Sequence, residues 1–343
     1  MSSAFPFQES HLLSTPIRDL GLTIAGTPLE PVLAQFRQEL EQSGIHRLRP
    51  HFYLSNEWGV PFDTISIAIP FYLARPDLTA VHAQRSGHLE GAGPVDLFRY
   101  LRHEMGHVVN YAYRLYDQEE WIQHFGSMTQ PYVEDYRPEP FSRRFVRHLP
   151  GWYAQKHPDE DWAETFAVWM TPHSNWRATY AEWPEARAKL DYCDRTMTLL
   201  NQRDPEVTAA ERDEDVSEMT GSLEDFYREL AGADDDPMPP GLDGALQAIL
   251  EDFDQPEDPS STAPRRPAEE LLLRLERDLV ANVYRWTGHF PEPTRRLVHH
   301  LAERARQLKQ VYPADREATV ALALTTLITS LAMNHVIRGS YFP

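Results

Sequence analysis

The sequence predicts an α+β fold in three parts, with a small, mostly antiparallel sheet and a long amphipathic helix in the first part. Three observations carry this prediction: two β-rich runs near the start, strong helical periodicity along most of the chain, and one acidic, proline-rich stretch. We place the parts at residues 1–203, 204–266 and 267–343. A chain of 343 residues is long enough for one large domain and one smaller unit.

The predicted sheet depends on the runs RLRPHFYLS and DTISIAIPF, which are rich in β-branched and aromatic residues. Ile65, Ile67 and Ile69 alternate with smaller residues, a pattern that is typical of a half-buried strand. The intervening NEWGVP is typical of a turn. We therefore expect the two runs to pair as strands of one small sheet.

Helical patterns surround this sheet. One helix is predicted over residues 27–42, where Thr27 and Glu30 form a capping-box pair ahead of an apolar series. The two strongest helical patterns that follow run over residues 94–116 and 159–171.

The net charge of −19 is concentrated in one segment. Residues 204–258 contain 19 acidic and two basic side chains, a charge of −17, so the rest of the chain is nearly neutral. With DDDPMPPG and DQPEDPSSTAPRRP, this composition predicts a solvated linker over 204–266, or a lid formed by its two short amphipathic pieces. The acidity also argues against nucleic acid as the main partner.

Residues 267–343 are expected to form three helices separated by TGHFPEP and YPAD. This helical unit would cap the first domain or recruit a partner. The apolar stretch Ala318–Met333 is interrupted by five Thr and Ser residues and falls short of a bilayer span. We therefore expect a buried helix and no membrane span.

Cys193 is the single cysteine, so no intrachain disulfide can form, which fits a reducing compartment. The N-terminus, MSSAFPFQES, lacks the basic start and the apolar run of a secretory signal. A cytoplasmic location is expected. Without a thiolate cluster, any metal ion in this chain needs histidine and carboxylate ligands.

The string LRHEMGHVVNYAY contains His103, Glu104 and His107 in the HExxH arrangement. On a helix, the two imidazoles lie one turn apart on the same face, which is the spacing that two ligands of one zinc ion require. A helical wheel places an apolar stripe on the opposite face, and this stripe consists of Leu97, Leu101, Met105, Val108 and Ala112. The sequence therefore predicts a helix with one packed face and one chemical face.

A catalytic zinc ion needs a third protein ligand and an open position for water. The predicted helix within DEDWAETFAVWM offers Glu164, 57 residues after His107, on the face opposite its bulky stripe. Glu160 and Asp161 lie one turn earlier on the same side. Each is a competing ligand, or a partner that orients a histidine from outside the metal shell.

Three strings, LRHEMGH, SRRFVRHLPGWYAQKHP and DEDWAETFAVW, resemble bacterial zinc-binding metallopeptidases with a zincin fold, over roughly residues 45–200. The surroundings of Glu164 are also similar to the third-ligand region of the lethal-factor-like gluzincins. The resemblance implies one zinc ion held by His103, His107 and Glu164, with Glu104 as the catalytic residue. It leaves the substrate open.

In such chemistry, Glu104 acts as the general base toward a water molecule on the metal ion. The developing oxyanion needs a further donor. Tyr153 is the expected donor, and His148 and His157 are the local alternatives.

The leading prediction is a zinc-dependent peptidase that acts on a peptide or protein substrate. Three arginines could bind a substrate carboxylate, or pair with the acidic segment or with residues 159–161; they are Arg143, Arg144 and Arg147. A zinc hydrolase of a non-peptide amide is a second possibility, because the same activated water attacks any amide. A third is a scaffold protein with a structural zinc ion that acts through its C-terminal helices, although a structural site does not need Glu104.

Overall fold

The structure is a computed structural model that describes residues 11–86, 89–91, 93–132, 136, 138–232, 241–253 and 263–342. The chain forms two units, the first made of Met1–Arg85 and Leu89–Leu230, the second of Ser86–His88 and Ala231–Pro343. Helices dominate both units, and the sheets are small. This mixture of helix and sheet is compatible with the predicted α+β class.

The helices, in chain order, are α1 Leu29–Gln42, α2 Pro76–Ser86, α3 Pro94–Ala112, α4 Glu119–Phe125, α5 Pro158–Met170, α6 Trp176–Thr179, α7 Pro184–Leu200, α8 Leu223–Gly232, α9 Asp243–Gln247, α10 Ala268–Thr287, α11 Pro291–Gln307 and α12 Glu317–Arg338. The strands are β1 His51–Ser55, β2 Ser66–Pro70, β3 Glu251–Asp252, β4 Arg265–Pro267 and β5 Gln310–Pro313.

The sheet of the first unit pairs β1 with β2 in parallel, with His51 opposite Ser66. The predicted antiparallel pairing is therefore wrong. The connection is not a tight turn, because the carbonyl of Gly59 accepts the N–H of Ala68 at 2.8 Å on the other edge of β2. After β1, the chain thus runs back along the opposite edge of β2. It then enters β2 at the same end of the sheet at which β1 begins.

The first part of the acidic segment is hydrogen-bonded to this sheet. The N–H of Val216 donates to the carbonyl of Leu54 at 3.1 Å, and the N–H of Ile65 donates to the carbonyl of Ala209 at 2.9 Å. The boundary between the units therefore follows Leu230, whereas the sequence predicted it after residue 203. Residues 233–240 and 254–262 of the predicted linker lie outside the described residues.

Helix α3 runs through the core of the first unit. Its predicted apolar stripe is buried throughout, as expected from the helical wheel. Phe36 of α1 packs against Phe98 of α3, with ring centroids 6.3 Å apart. The stripe fixes the rotation of α3 about its axis, so the face with His103 and His107 turns toward α5.

The second unit contains the three predicted C-terminal helices, α10, α11 and α12. It also contains a three-stranded antiparallel sheet in the order β3-β5-β4, which the sequence did not predict. The strands are only two to four residues long. Runs this short carry no readable alternation of polar and apolar residues.

The sequence predicts a buried helix, too short to span a membrane, where the structure has α12. The structure differs from this prediction in the length of the apolar helix and in how much of it is buried. Residues Ala314–Arg338 are long and apolar enough to cross a bilayer: an 18-residue window within them has a mean hydropathy of 1.7, and 28% of that window is buried. The Thr325 hydroxyl donates to the carbonyl of Ala321 at 2.7 Å, so a polar residue satisfies itself within the helix instead of interrupting it. Length and composition alone do not distinguish a span from a helix of a water-soluble protein.

Candidate metal centre

Helices α3 and α5 carry the candidate centre, and each begins at a proline. Pro94 and Pro158 occupy first-turn positions, where the missing N–H costs nothing. At the start of α5, the N–H of Asp159 donates to the Nδ1 of His157 at 3.2 Å. This cap fixes the acidic first turn of α5 in front of α3.

A glycine allows the two helices to approach closely. A Cβ atom at Gly106 would lie 2.7 Å from the Cα of Ala163 and 3.1 Å from its carbonyl oxygen. The Trp162 indole N–H donates to the Gly106 carbonyl at 2.7 Å across the same contact. The register between α3 and α5 is therefore set at these residues, in the same turn of α3 as the two histidines.

Three donor atoms converge between the helices. The Nε2 atoms of His103 and His107 are 3.2 Å apart. The Oε2 of Glu160 lies 3.0 Å from the first and 3.3 Å from the second. Tetrahedral zinc bonds of about 2.0–2.2 Å place neighbouring ligands about 3.3–3.6 Å apart. All three side chains are buried, and together they form a group that could hold a metal ion.

A second layer of carboxylates holds the outer nitrogen of each imidazole. The Nδ1 of His103 lies 2.9 Å from Glu164 Oε1, and the Nδ1 of His107 lies 2.9 Å from Asp159 Oδ2. Such contacts fix the tautomer that leaves Nε2 free for a metal. Asp159 is in turn held by the Asn110 amide at 2.7 Å.

Glu164, the predicted third ligand, lies on the far side of the His103 ring from the converging Nε2 atoms. Its Oε2 accepts the backbone N–H groups of His148 and Leu149 at 3.0 and 2.9 Å. Glu160, named from the sequence as a competitor, is the glutamate whose oxygen joins the two Nε2 atoms in the group that could hold a metal ion. Glu164 contacts only the Nδ1 of His103 and the two backbone N–H groups, an arrangement that fits an orienting partner better than a ligand.

Asp161, the other competitor, faces away from the centre. Its Oδ2 pairs with the Lys189 ammonium at 2.5 Å, and both side chains are buried. Burial raises the pKa of Asp161 to about 7, although the ammonium opposes this shift. Asp161 therefore belongs to the contact between α5 and α7.

The carboxylates of the centre raise the pKa values of both histidines. Burial lowers the pKa of His103, but hydrogen bonds to Glu160 and Glu164 raise it to about 9. The His107 pKa is likewise raised, by Asp159 and Glu160, despite burial. In both cases the surrounding carboxylates favour positive charge at the imidazole rings. A cation bound among the same atoms would balance the negative charge of the carboxylates and displace protons from the Nε2 atoms.

Glu104 lies beside the ligands on α3 and is 4% exposed. Burial raises its pKa, against the opposing attraction of His103 and His107. A carboxylate whose pKa is raised toward the working pH can both accept and release a proton.

Two tyrosines line the centre on the side of α5. The Tyr153 ring lies edge-on to the His103 ring, with centroids 5.5 Å apart. Its hydroxyl is 3.3 Å from that of Tyr132, and the Tyr132 hydroxyl donates to Glu160 Oε1 at 2.8 Å. Tyr153, the donor expected from the sequence, thus lies next to one of the two histidines. Tyr132 was missed, because it lies in a loop without periodicity.

The two histidines considered as alternatives to Tyr153 bind backbone carbonyls instead. The Nε2 of His148 lies 2.9 Å from the Arg99 oxygen, and that of His157 lies 3.1 Å from the Gln130 oxygen. Burial lowers the pKa of His148 to about 4. A neutral ring with its Nε2–H bound to a carbonyl is a poor oxyanion donor.

The three arginines named from the sequence contact residues between positions 140 and 185. Arg144 pairs with Glu185 at 3.2 Å, and Arg143 lies 3.5 Å from the carbonyl of Glu182. Arg147 donates to the carbonyl of Pro140 and stacks on Trp183. The acidic partner found here, Glu185, lies at the start of α7, outside both the acidic segment and residues 159–161.

The segment from Trp58 to Phe62 lies along the chemical face of α3. Trp58 stacks on Tyr100, one turn before His103, with centroids 5.4 Å apart. Phe62 packs edge-on against Tyr111, one turn after His107, at 5.1 Å. The sequence predicts a turn for most of this segment and indicates no role for it in the site.

Comparisons with protein-family models, with curated proteins and with solved structures returned no match to this chain.

Proposed function

We propose that the chain is a zinc-dependent hydrolase of peptide bonds, with a zincin-like, gluzincin-type centre. The observation that carries the proposal is the triangle of His103 Nε2, His107 Nε2 and Glu160 Oε2, with edges of 3.0–3.3 Å. Each imidazole has a carboxylate on its other nitrogen, as metal-binding histidines usually do. The fit of donor types, spacing and outer partners supports zinc.

A zinc ion bound by two imidazoles and one carboxylate would lower the pKa of a water molecule toward about 7 and polarise a carbonyl group. Glu104 would accept one proton from the attacking water as the new C–O bond forms. It would pass that proton to the amide nitrogen as the C–N bond breaks. Tyr153, adjacent to the His103 ring, would donate a hydrogen bond from its hydroxyl to the developing oxyanion and keep its proton.

The buried carboxylate of Glu104 supports hydrolysis over a structural zinc site. A structural ion needs four closed ligands and no base. Here three side chains converge that could hold a metal ion, and Glu104, the residue next to His103 on α3, is buried with a raised pKa. Peptide rather than another amide is supported by the resemblance of the three motif strings.

The test combines metal analysis with a peptide-library digest of the full chain. We expect about one zinc ion per chain and cleavage that a chelator abolishes and zinc restores. Glu104→Gln should retain the metal and lose about 100-fold or more in kcat/KM, because general-base catalysis contributes at least that much. A chain that binds no zinc, or cleavage that is equal in wild type and Glu104→Gln, would overturn the proposal.

A further inference from the structure

Phe62 is held by a turn that is fixed at several points. Asp63, the next residue, has a φ of 54°, in the left-handed region that non-glycine residues rarely adopt. Its carboxylate accepts the Tyr116 hydroxyl at 2.6 Å. The N–H and the hydroxyl of Thr64 both donate to the carbonyl of Pro61, at 3.2 and 2.8 Å. The turn thus fixes the position of the Phe62 backbone.

The ring of Phe62 remains 59% exposed in this fixed position. Its covered part contacts two aromatic rings, Tyr111 at 5.1 Å and Tyr116 at 5.4 Å between centroids. A single exposed apolar side chain is ordinary on a protein surface. A rigidly held one that backs onto tyrosines of a buried polar centre is a preformed apolar contact surface.

The contact with Tyr111 connects this surface to the candidate centre. The Tyr111 hydroxyl donates to Asp159 Oδ2 at 2.5 Å, and the same oxygen lies 2.9 Å from His107 Nδ1. The rings of Tyr111 and His107 are 6.1 Å apart. Phe62 therefore packs against Tyr111, the aromatic residue one helical turn beyond the second histidine.

The charge next to Phe62 in the sequence, that of Asp63, is paired with a residue outside the turn. The Asp63 carboxylate, besides its bond to Tyr116, lies 3.5 Å from the Arg114 guanidinium. The ring is therefore the feature that this turn offers to a ligand, and its complement is an apolar surface.

We propose that Phe62 binds a large apolar or aromatic side chain of the substrate, at a residue that flanks the scissile bond. The inference rests on the proposed peptidase activity and specifies its substrate class: peptides with such a residue beside the cleavage point. Phe62 acts on specificity and takes no part in the proton transfers.

The experiment compares the full-length wild type with Phe62→Ala, Phe62→Leu and Phe253→Ala in peptide-library digests. Phe253 is a matched control, because it is 60% exposed and lies in the second unit. We expect wild-type cleavage to favour a large apolar residue at one flanking position. Phe62→Ala should lower kcat/KM for those peptides about tenfold and leave peptides with alanine there within about twofold, as for loss of one apolar contact. Phe62→Leu should fall between them.

Zinc content separates a specificity role from a structural one, and it should be equal in all four proteins. Cleavage without an apolar preference, or an equal loss on all peptides in Phe62→Ala, would overturn the role of Phe62 while leaving the peptidase proposal intact. Wild-type cleavage that does not depend on zinc and Glu104 would instead overturn the peptidase proposal, and with it this inference.

Discussion

Each histidine of the candidate centre is held from both sides of its ring. His103 lies between Glu160 and Glu164, and His107 lies between Glu160 and Asp159. Glu160 is the shared member, and it is the acid that contacts both Nε2 atoms. Of the histidine nitrogens, Glu164 and Asp159 contact only Nδ1 atoms. Removal of Glu160 and removal of Glu164 should therefore have different consequences for metal binding.

Glu160→Gln is expected to abolish zinc binding at micromolar concentrations, because it replaces an anionic ligand by a neutral amide. Glu164→Gln is expected to retain zinc with an affinity that is about 10–100-fold lower, the usual effect of losing an orienting partner. Competition titration with a chromophoric chelator measures both dissociation constants.

Circular dichroism is the control for folding in this comparison, since Glu164 also accepts two backbone N–H groups. If Glu164→Gln loses the metal while a folded Glu160→Gln retains it, the ligand assignment predicted from the sequence is right and the assignment proposed from the geometry is wrong.

At the scale of elements, the sequence predicts what a single helix encodes. His103 and His107 share a face of α3 because they are four residues apart, and the apolar stripe opposite them is buried as expected. The choice between Glu160 and Glu164 depends on how far α5 is shifted along α3. The contact of Gly106 with Ala163 sets that shift, and one-helix periodicity carries no information about it.

Strand direction shows the same limit. The runs that form β1 and β2 were recognised from their composition, which is a local property. Their parallel pairing depends on the path of the ten residues 56–65, and on the bond between Gly59 and Ala68. A two-residue hairpin turn would have fixed the direction from sequence, but this connection contains none.

Gly106→Ala tests the helix contact. The added Cβ would lie 2.7 Å from the Ala163 Cα, a backbone atom that cannot rotate away. We expect a loss of about 1–3 kcal/mol in the free energy of unfolding, as for overpacked cores, despite the better helix propensity of alanine. Because the ligands lie on both helices, zinc affinity should fall as well.

Gly244→Ala is the matched control for this substitution. Gly244 lies in helix α9, and a Cβ there would meet no heavy atom within 4 Å. We expect unchanged or slightly increased stability and unchanged zinc affinity, from urea unfolding and zinc titration. Equal behaviour of the two alanine variants would show that α3 and α5 can separate without cost.

At the scale of the whole molecule, the acidic composition after residue 203 is the reason that the predicted boundary between the units differs from the one in the structure. The segment after residue 203 looks like a linker because acidic residues dominate its composition. A few apolar side chains within it nevertheless reach the core of the first unit; these are Val216, Leu223 and Tyr227. Composition averages over such anchors, so the sequence placed the boundary too early.

A chain ending at residue 232 is therefore expected to keep the centre, whereas one ending at residue 203 is not. The shorter chain loses the burial of Val216, Leu223 and Tyr227, which are at most 7% exposed. At about 1.5–3 kcal/mol for each side chain, this loss approaches the whole stability of a typical domain. Thermal unfolding by circular dichroism and zinc titration compare both chains with the full-length protein. The longer chain should bind zinc within about twofold of the full protein, an affinity change below about 0.5 kcal/mol. A cooperative, zinc-binding chain that ends at residue 203 would contradict the boundary seen in the structure, and would restore the acidic segment as a linker.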